Sequence, residues 1–235
     1  MSYQSQKVRK AVLPVAGLGT RFLPVTKTIP KEMLPIVDKP QILLIIEEAV
    51  EAGIEDIVLV SGRHKSAIED FFDQSYELEA YLEKVNKLNL LKPIIELRKK
   101  VNIISIRQQK PLGLGHAVAC GKPIVGNSTF AVLLGDELMW SEDRLGNPTK
   151  MLCDNASATG FSTVAIMQVP LEDVCKYGIV KTRGQMEVES IIEKPSPSEA
   201  PSQWALPGRY VFNSSIFACL ENLAPGKNGE LQLTD

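Results

Sequence analysis

The stretch AVLPVAGLGTRFLPVTKTIPKEML, residues 11–34, joins a strand-like apolar run to a glycine turn and then to a long basic loop punctuated by prolines. The interval from Ala16 to Lys39 far exceeds the roughly 4–6 residues that usually connect compact elements, which points to a working loop. Pro24, Pro30, Pro35 and Pro40 each fix φ and bias the preceding residue to extended geometry, so the loop reads as stiff despite its length. Gly17 and Gly19 remove side chains where the strand ends, letting backbone N–H groups approach an anion or a base edge. Thr20 and Arg21 lie inside this turn, with Lys27 and Lys31 farther on. Arg21 offers a planar fork for phosphate oxygens and Lys31 a movable point charge, a combination suited to a polyphosphate. A tight turn with solvated surface cations is the plainer alternative.

Two familiar glycine motifs do not fit. A dinucleotide fingerprint needs G-x-G-x-x-G, whereas the chain has GLGTRF, and its second strand ends in LVSG without an acid to hold a ribose. A Walker A loop needs G-K-[ST] after its first glycine, and none follows.

Outward from the loop, strand and helix patterns alternate. QILLIIEEAVEAG has Pro40 at its start and Gly53 past its end, as helices prefer. EDIVLVSG, VNIISIRQ and TFAVLLGD read as buried strands, separated by the helical KSAIEDFF, SYELEAYLEKVNKLNLL and LGHAVACGKP. This alternation predicts an α/β fold with a mainly parallel sheet flanked by helices, whose ligand site lies beyond the C-terminal strand ends. FSTVAIMQV, YGIVKT, VESIIEK and GRYVFN are strands with short links, predicting added mixed or antiparallel strands in the second half. KPSPSEAPSQ reads as an exposed loop.

The chain of 235 residues is predicted to form one domain, with a nucleotide-binding half over 8–140 and a second half over 141–235. A hydrophobic content of 44% and a net charge of −2 are ordinary for a globular protein and give no reason to expect a nucleic-acid partner. The N-terminal MSYQSQKVRK lacks the apolar core of a signal peptide and no run is long enough to span a bilayer, so a cytoplasmic location without membrane attachment is expected. Cys120, Cys153, Cys175 and Cys219 are widely spaced, and are expected to be reduced core residues. With only His64 and His116 as imidazoles, a thiolate or histidine metal site is not expected.

GLGTRFLPVTKTIPKEMLPIVDKP, followed in order by RQQKPLGLGHAV, YGIV, EKP and GELQLTD, resembles the sugar-1-phosphate nucleotidyltransferases from about residue 8 onward. The resemblance implies a Rossmann-like fold and transfer of the uridylyl group of UTP to glucose 1-phosphate, releasing pyrophosphate and forming UDP-glucose with Mg²⁺. Alternatives are dTTP or another sugar 1-phosphate as substrate, or a non-catalytic nucleotide-sugar-binding chain. Glu32, after the lysine in PKEMLP, favours the uridylyl branch over relatives with glutamine there.

By the same resemblance, Gly17, Gly19 and Thr20 wrap the nucleotide, Ala16 and Gly17 approach the base, and Arg21 and Lys31 hold the leaving pyrophosphate. Gln108 and Gly113 belong to the uracil pocket, where a glutamine amide presents donor and acceptor together to the imide edge; a polar strand end is the plainer reading. His116 is expected to have a structural partner on its helix. Asp136, after the strand FAVLLGDE, suits Mg²⁺ as a carboxylate at the C-terminal sheet edge, although a turn-initiating aspartate would look the same; Glu137 beside it has a less certain role. Gly178 and Glu193 correspond to the hexose contacts and Lys194 to the lysine on the sugar phosphate. Glu193 and Lys194 can share a ligand only if their strand ends there, because neighbours on a strand face opposite ways; Pro195 predicts such an ending. A surface Glu–Lys pair is the alternative. GELQLTD reads as the first turn of a helix. Relatives continue through a strand with a second metal-directed acid, so the resemblance implies a C-terminally incomplete chain in which Asp235 is not assumed to replace that acid. In relatives the further part packs subunits, implying a homo-oligomer, dimer or tetramer, when it is present.

Overall fold

The computed structural model describes residues 7–139, 147–184, 186–226 and 229–234. The chain begins with β1 (Lys10–Val15), passes through three short 3-10 turns (Thr20–Phe22, Val25–Lys27, Lys31–Met33) and a two-stranded ribbon, β2 (Pro35–Ile36) with β3 (Lys39–Pro40), and enters α1 (Gln41–Glu51). The proline-rich interval is therefore filled with local turns, each closed by backbone hydrogen bonds such as Phe22 N to Gly19 O and Met33 N to Pro30 O. There follow β4 (Asp56–Ser61), α2 (Ser66–Phe72), α3 (Tyr76–Lys84), α4 (Lys92–Arg98), β5 (Asn102–Arg107), α5 (Leu114–Cys120), α6 (Lys122–Val125), β6 (Phe130–Leu133) and α7 (Asn147–Thr159). The second half adds β7 (Thr163–Val164), β8 (Met167–Gln168), β9 (Gly178–Arg183), β10 (Glu187–Glu193), β11 (Trp204–Ala205), β12 (Arg209–Phe212) and α8 (Ile216–Asn222).

The main sheet has the order β5-β4-β1-β6-β12-β7. Pairings β4–β5, β1–β4 and β1–β6 are parallel, whereas β12 runs antiparallel to both β6 and β7. The mainly parallel sheet predicted from the alternation, and the Rossmann-like fold that the resemblance implies, are thus the observed ones. The chain runs from β1 outward through β4 to β5 and then crosses back to β6 on the other side of β1, which opens a crevice beyond the C-terminal ends of β1 and β6.

Period-two alternation divides β1 between two cores. Ala11, Leu13 and Val15 pack with Ile42, Ile45, Ile46 and Ala49 of α1, while Val12 packs on the other face with Ala117, Val118, Phe217 and Leu220 of α5 and α8. Coverage on both faces explains why these strands are apolar throughout. The second sheet, β10-β9-β11-β8, is antiparallel and has a small core of Val169, Val174, Ile179 and Ala205. Val180 of β9 and Leu206 instead join the apolar cluster of the main sheet.

Several expectations are corrected. SYELEAYLEKVNKLNLL is not one helix: α3 ends at Lys84, and Asn86 at φ 55° turns the chain away before a 3-10 segment, Leu88–Leu91. FSTVAIMQV divides between two sheets, as β7 and β8. Residues 229–232 run without helix, held where the Leu231 N–H donates to Leu112 O and its carbonyl accepts from Gly115 N, each at 2.7 Å, and Leu233 and Thr234 lie in a turn. All four cysteines are free, but only Cys153 is buried, its thiol pushed up to about 12 chiefly by that burial; Cys175 and Cys219 are exposed.

Candidate active site

At the crevice lies a cavity of about 440 Å³. It is lined by Ala16, Gly17, Gly19, Thr20, Lys31, Gln108, Gly113 and Asp136, drawn from four separate stretches of sequence. Gly19 is left-handed at φ 68°, and a Cβ there would sit 3.1 Å from Lys31 Cβ and 3.2 Å from Thr26 Cγ2. Its carbonyl accepts from Thr26 Oγ1 at 2.7 Å, which ties the glycine turn to the loop that follows it. Gly113, at φ 98°, has both the wrong torsion and no room for a side chain, since a Cβ would meet Leu231 O at 2.7 Å.

Charge is concentrated where the first loop meets the segment after β6. Lys31 Nζ donates to Asp136 Oδ2 at 2.7 Å, with the lysine side chain 17% exposed and the aspartate 45%. Burial alone would raise the Asp136 carboxyl, but the hydrogen bond and charge of Lys31, helped by a backbone hydrogen bond and then by the charge of Arg21, hold it below its usual range. Glu137 moves the other way: burial and the adjacent Asp136 charge raise it, against smaller opposing contributions from Arg209, Lys31 and Arg21. Two carboxyls side by side are therefore driven apart in acidity. Arg21 is exposed, outside the cavity lining, yet its charge acts on both acids. Lys27 is exposed and does not line the cavity.

Gly178, Glu193 and Lys194 come together in the second sheet. Gly178 pairs with Glu193 across β9 and β10, and a Cβ on Gly178 would lie 3.2 Å from Glu193 Oε2. The strand ends as Pro195 predicts: Lys194 takes φ 46°, and its Nζ lies 3.3 Å from Glu193 Oε1, so the two side chains share a side. Thr234 Oγ1 donates to the other oxygen, Oε2, at 2.8 Å. Buried Tyr210 lies between the two regions, its hydroxyl raised by burial first and then by the charges of Glu193 and Glu137. The segment 229–234 thus reaches both groups, since Glu230 lines the cavity while Thr234 touches Glu193. Asp235 and residues 140–146 lie outside the described residues.

Two buried ion pairs behind the site are absent from the sequence reading. Glu32, fully buried, accepts from Lys65 Nζ at 2.7 Å and lies under Gly135, 3.4 Å from where a Cβ would be. It does not line the cavity; its pairing with Lys65 seats the loop that carries Lys31. Arg209, 1% exposed, donates from Nε and Nη2 to the two oxygens of Glu48 at 2.6 and 2.8 Å. The same guanidinium donates to the carbonyls of Leu134 (3.3 Å), Gly208 (3.1 Å) and Glu137 (2.6 Å), clamping the segment that presents Asp136 from both ends. Thr149 completes the Glu48 site from α7. A signal existed: Glu48 stands three residues after Ile45, on the apolar face of α1, where an uncompensated charge would be prohibitive.

Gln108 is 8% exposed and lines the cavity. Its Nε2 donates to Gly113 O at 3.1 Å and lies 3.0 Å from His116 Nδ1, which supplies the partner expected for His116.

Residues 10–235 match the family described as nucleotidyl transferase. The UTP--glucose-1-phosphate uridylyltransferase YngB of Bacillus subtilis (strain 168) is 53% identical, covering 98% of this chain and 78% of that protein. A UTP--glucose-1-phosphate uridylyltransferase of Streptococcus pneumoniae is 49% identical over 98% of this chain and 79% of its own length. Among solved structures, a UDP-glucose pyrophosphorylase complexed with UDP-glucose superposes with a TM-score of 0.87 at 44% identity, covering 97% of this chain and 84% of that one. The UTP-bound enzyme from Acinetobacter baumannii gives 0.87 at 42% identity, with 97% and 80% covered.

Proposed function

The chain belongs to the nucleotidyl transferase family, and from that premise we propose that it transfers the uridylyl group of UTP to glucose 1-phosphate, giving UDP-glucose and pyrophosphate. The observation that carries this reading is the meeting of Lys31 and Asp136 at 2.7 Å beside a glycine-lined cavity sized for a nucleotide.

In the reaction an oxygen of the sugar phosphate forms a bond to the α-phosphorus of UTP, and the bond from that phosphorus to the bridging oxygen of the β-phosphate breaks. The electron pair leaves with pyrophosphate. No protein nucleophile is required; the chain's task is to bring two polyanions together and offset their charge. Gly17, Gly19 and Thr20 admit the nucleotide to backbone donors, and Gln108 with Gly113 receives the base. Arg21 and Lys31 meet the β- and γ-phosphates. Glu193 and Gly178 take the hexose, and Lys194 takes its phosphate. The 3.3 Å approach of Lys194 to Glu193 fits one ligand bridging both.

Asp136, which lines the cavity, fits Mg²⁺, which binds through one or two carboxylates with phosphate oxygens and water completing its shell. Bound there, the ion would offset phosphate charge and polarise the α-phosphorus. With nucleotide present, Lys31 turns from Asp136 to a phosphate, freeing the carboxylate.

Pyrophosphate release measured with Mg²⁺ over a panel of nucleoside triphosphates and sugar 1-phosphates tests the reading. Turnover is expected to be greatest with UTP and glucose 1-phosphate. Preference for a different pair, or binding of UDP-glucose without turnover, overturns it.

A further inference from the structure

The orientation of the Gln108 amide is fixed by its neighbours. The carbonyl of Gly113 can only accept, so the group 3.1 Å from it is the amide nitrogen. That same nitrogen faces His116 Nδ1 at 3.0 Å, which makes Nδ1 the acceptor and leaves the ring proton on Nε2. Both amide hydrogens are then engaged inside the protein. What Gln108 has left for the cavity is Oε1, an acceptor alone, and the donor-plus-acceptor edge expected from its residue type is not available.

We propose that His116 is a specificity-determining positioning residue that holds Gln108 in the acceptor-outward state and so favours uracil over cytosine nucleotides; this rests on the uridylyl reading of the same site. The N3–H of uracil can donate to Oε1. Cytosine has an unprotonated N3 at that position and would set two acceptors against each other. A flipped amide would suit cytosine, but the flip sets Oε1 against the Gly113 carbonyl and requires the His116 ring proton to move from Nε2 to Nδ1. Gly113 opposes the flip in any variant, and His116 adds the cost of that tautomer change. The Cys120 Sγ lies 4.0 Å from the same Nδ1.

The test is steady-state kinetics with UTP and with CTP, at saturating glucose 1-phosphate, for wild type, His116→Ala, His116→Asn, Gln108→Ala and the Gln108→Ala/His116→Ala double variant. His116→Ala is expected to lower the UTP-over-CTP ratio of kcat/KM by about tenfold, mostly through KM for UTP. His116→Asn, whose Oδ1 can replace Nδ1 as acceptor, is expected to restore most of the ratio. In the Gln108→Ala background, loss of His116 is expected to change the ratio less than about twofold, because no amide remains to be oriented. His116→Leu carries the same expectation as alanine if the smaller residue does not fold. An unchanged ratio in the folded alanine or leucine variant, or an equal drop in the Gln108→Ala background, overturns the positioning role. A wild-type chain that does not prefer UTP overturns the underlying reading instead.

Discussion

Replacing Arg209 by methionine separates two tasks that this side chain performs. Arg209 is 1% exposed and its Glu48 partner 0%, so the single change leaves a carboxylate buried without its cation. Breaking a buried pair from one side costs about 3–5 kcal/mol. For a chain of this size a loss of 1 kcal/mol lowers the melting temperature by about 2–4 °C, so a fall on the order of 10 °C is expected. Adding Glu48→Leu removes the stranded charge and should recover at least half of that loss, with the Thr149 hydroxyl among the groups still lacking its partner. Turnover should not recover with stability. Arg209 also fixes the carbonyls of Leu134 and Glu137, and neither methionine nor leucine can donate to them. The double variant is therefore expected to melt within about 5 °C of wild type while its kcat stays about tenfold or more below it, since small misplacements at a reacting centre are costly. Differential scanning calorimetry alongside pyrophosphate release makes the comparison. Full recovery of both properties would refute the idea that Arg209 positions Asp136, and a single variant that melts within a degree or two of wild type would refute the energetic argument.

Two further predictions concern the charged groups of the site. Because the Lys31 pair lowers the folded-state pKa of Asp136, its stabilisation is fully present above the unfolded value near pH 4 and is lost as pH falls through the folded value. In Lys31→Met burial is opposed only by the backbone hydrogen bond at Asp136 and, less, by the Arg21 charge, so NMR titration of the Asp136 carboxyl carbon should move to higher pH; an unmoved titration would show that the pair does not govern the acid. Lys194→Ala is expected to reduce turnover by about a hundredfold while leaving UTP affinity within about twofold, because the lost cation belongs to the second substrate. Equal losses in kcat and in UTP binding, measured by calorimetry, would place Lys194 on the nucleotide instead.

The parts of this molecule that were legible in its sequence are those whose signals are local. Gly17 and Gly19 end β1, Pro40 and Gly53 bracket α1, and buried strands alternating with helices impose the parallel order around β1. The nucleotide cavity was also legible, because most of its lining comes from two continuous motifs. The ion pairs beneath it were not. Glu48 and Arg209 are 161 residues apart, and nothing near either one announces its partner. Glu32 follows Lys31 directly, yet it is buried against Lys65 and does not line the cavity, a partnership that no local signal announces. The polarity presented by Gln108 depends on a backbone carbonyl and a histidine that fold onto it, and residue type alone cannot fix which end of an amide faces outward.

Lys194 holds a conformation that glycine or asparagine would adopt with less strain, at φ 46° just before a proline. Left-handed torsions on ordinary residues cost on the order of 1 kcal/mol or more. Laboratory selection for heat resistance alone would consequently drift at this position toward glycine, enriching sturdier chains that lack the cation. The lysine is a point where the demands of folding and of turnover diverge within one residue, and deep mutational scans scored by abundance and by activity should rank its substitutions in opposite orders.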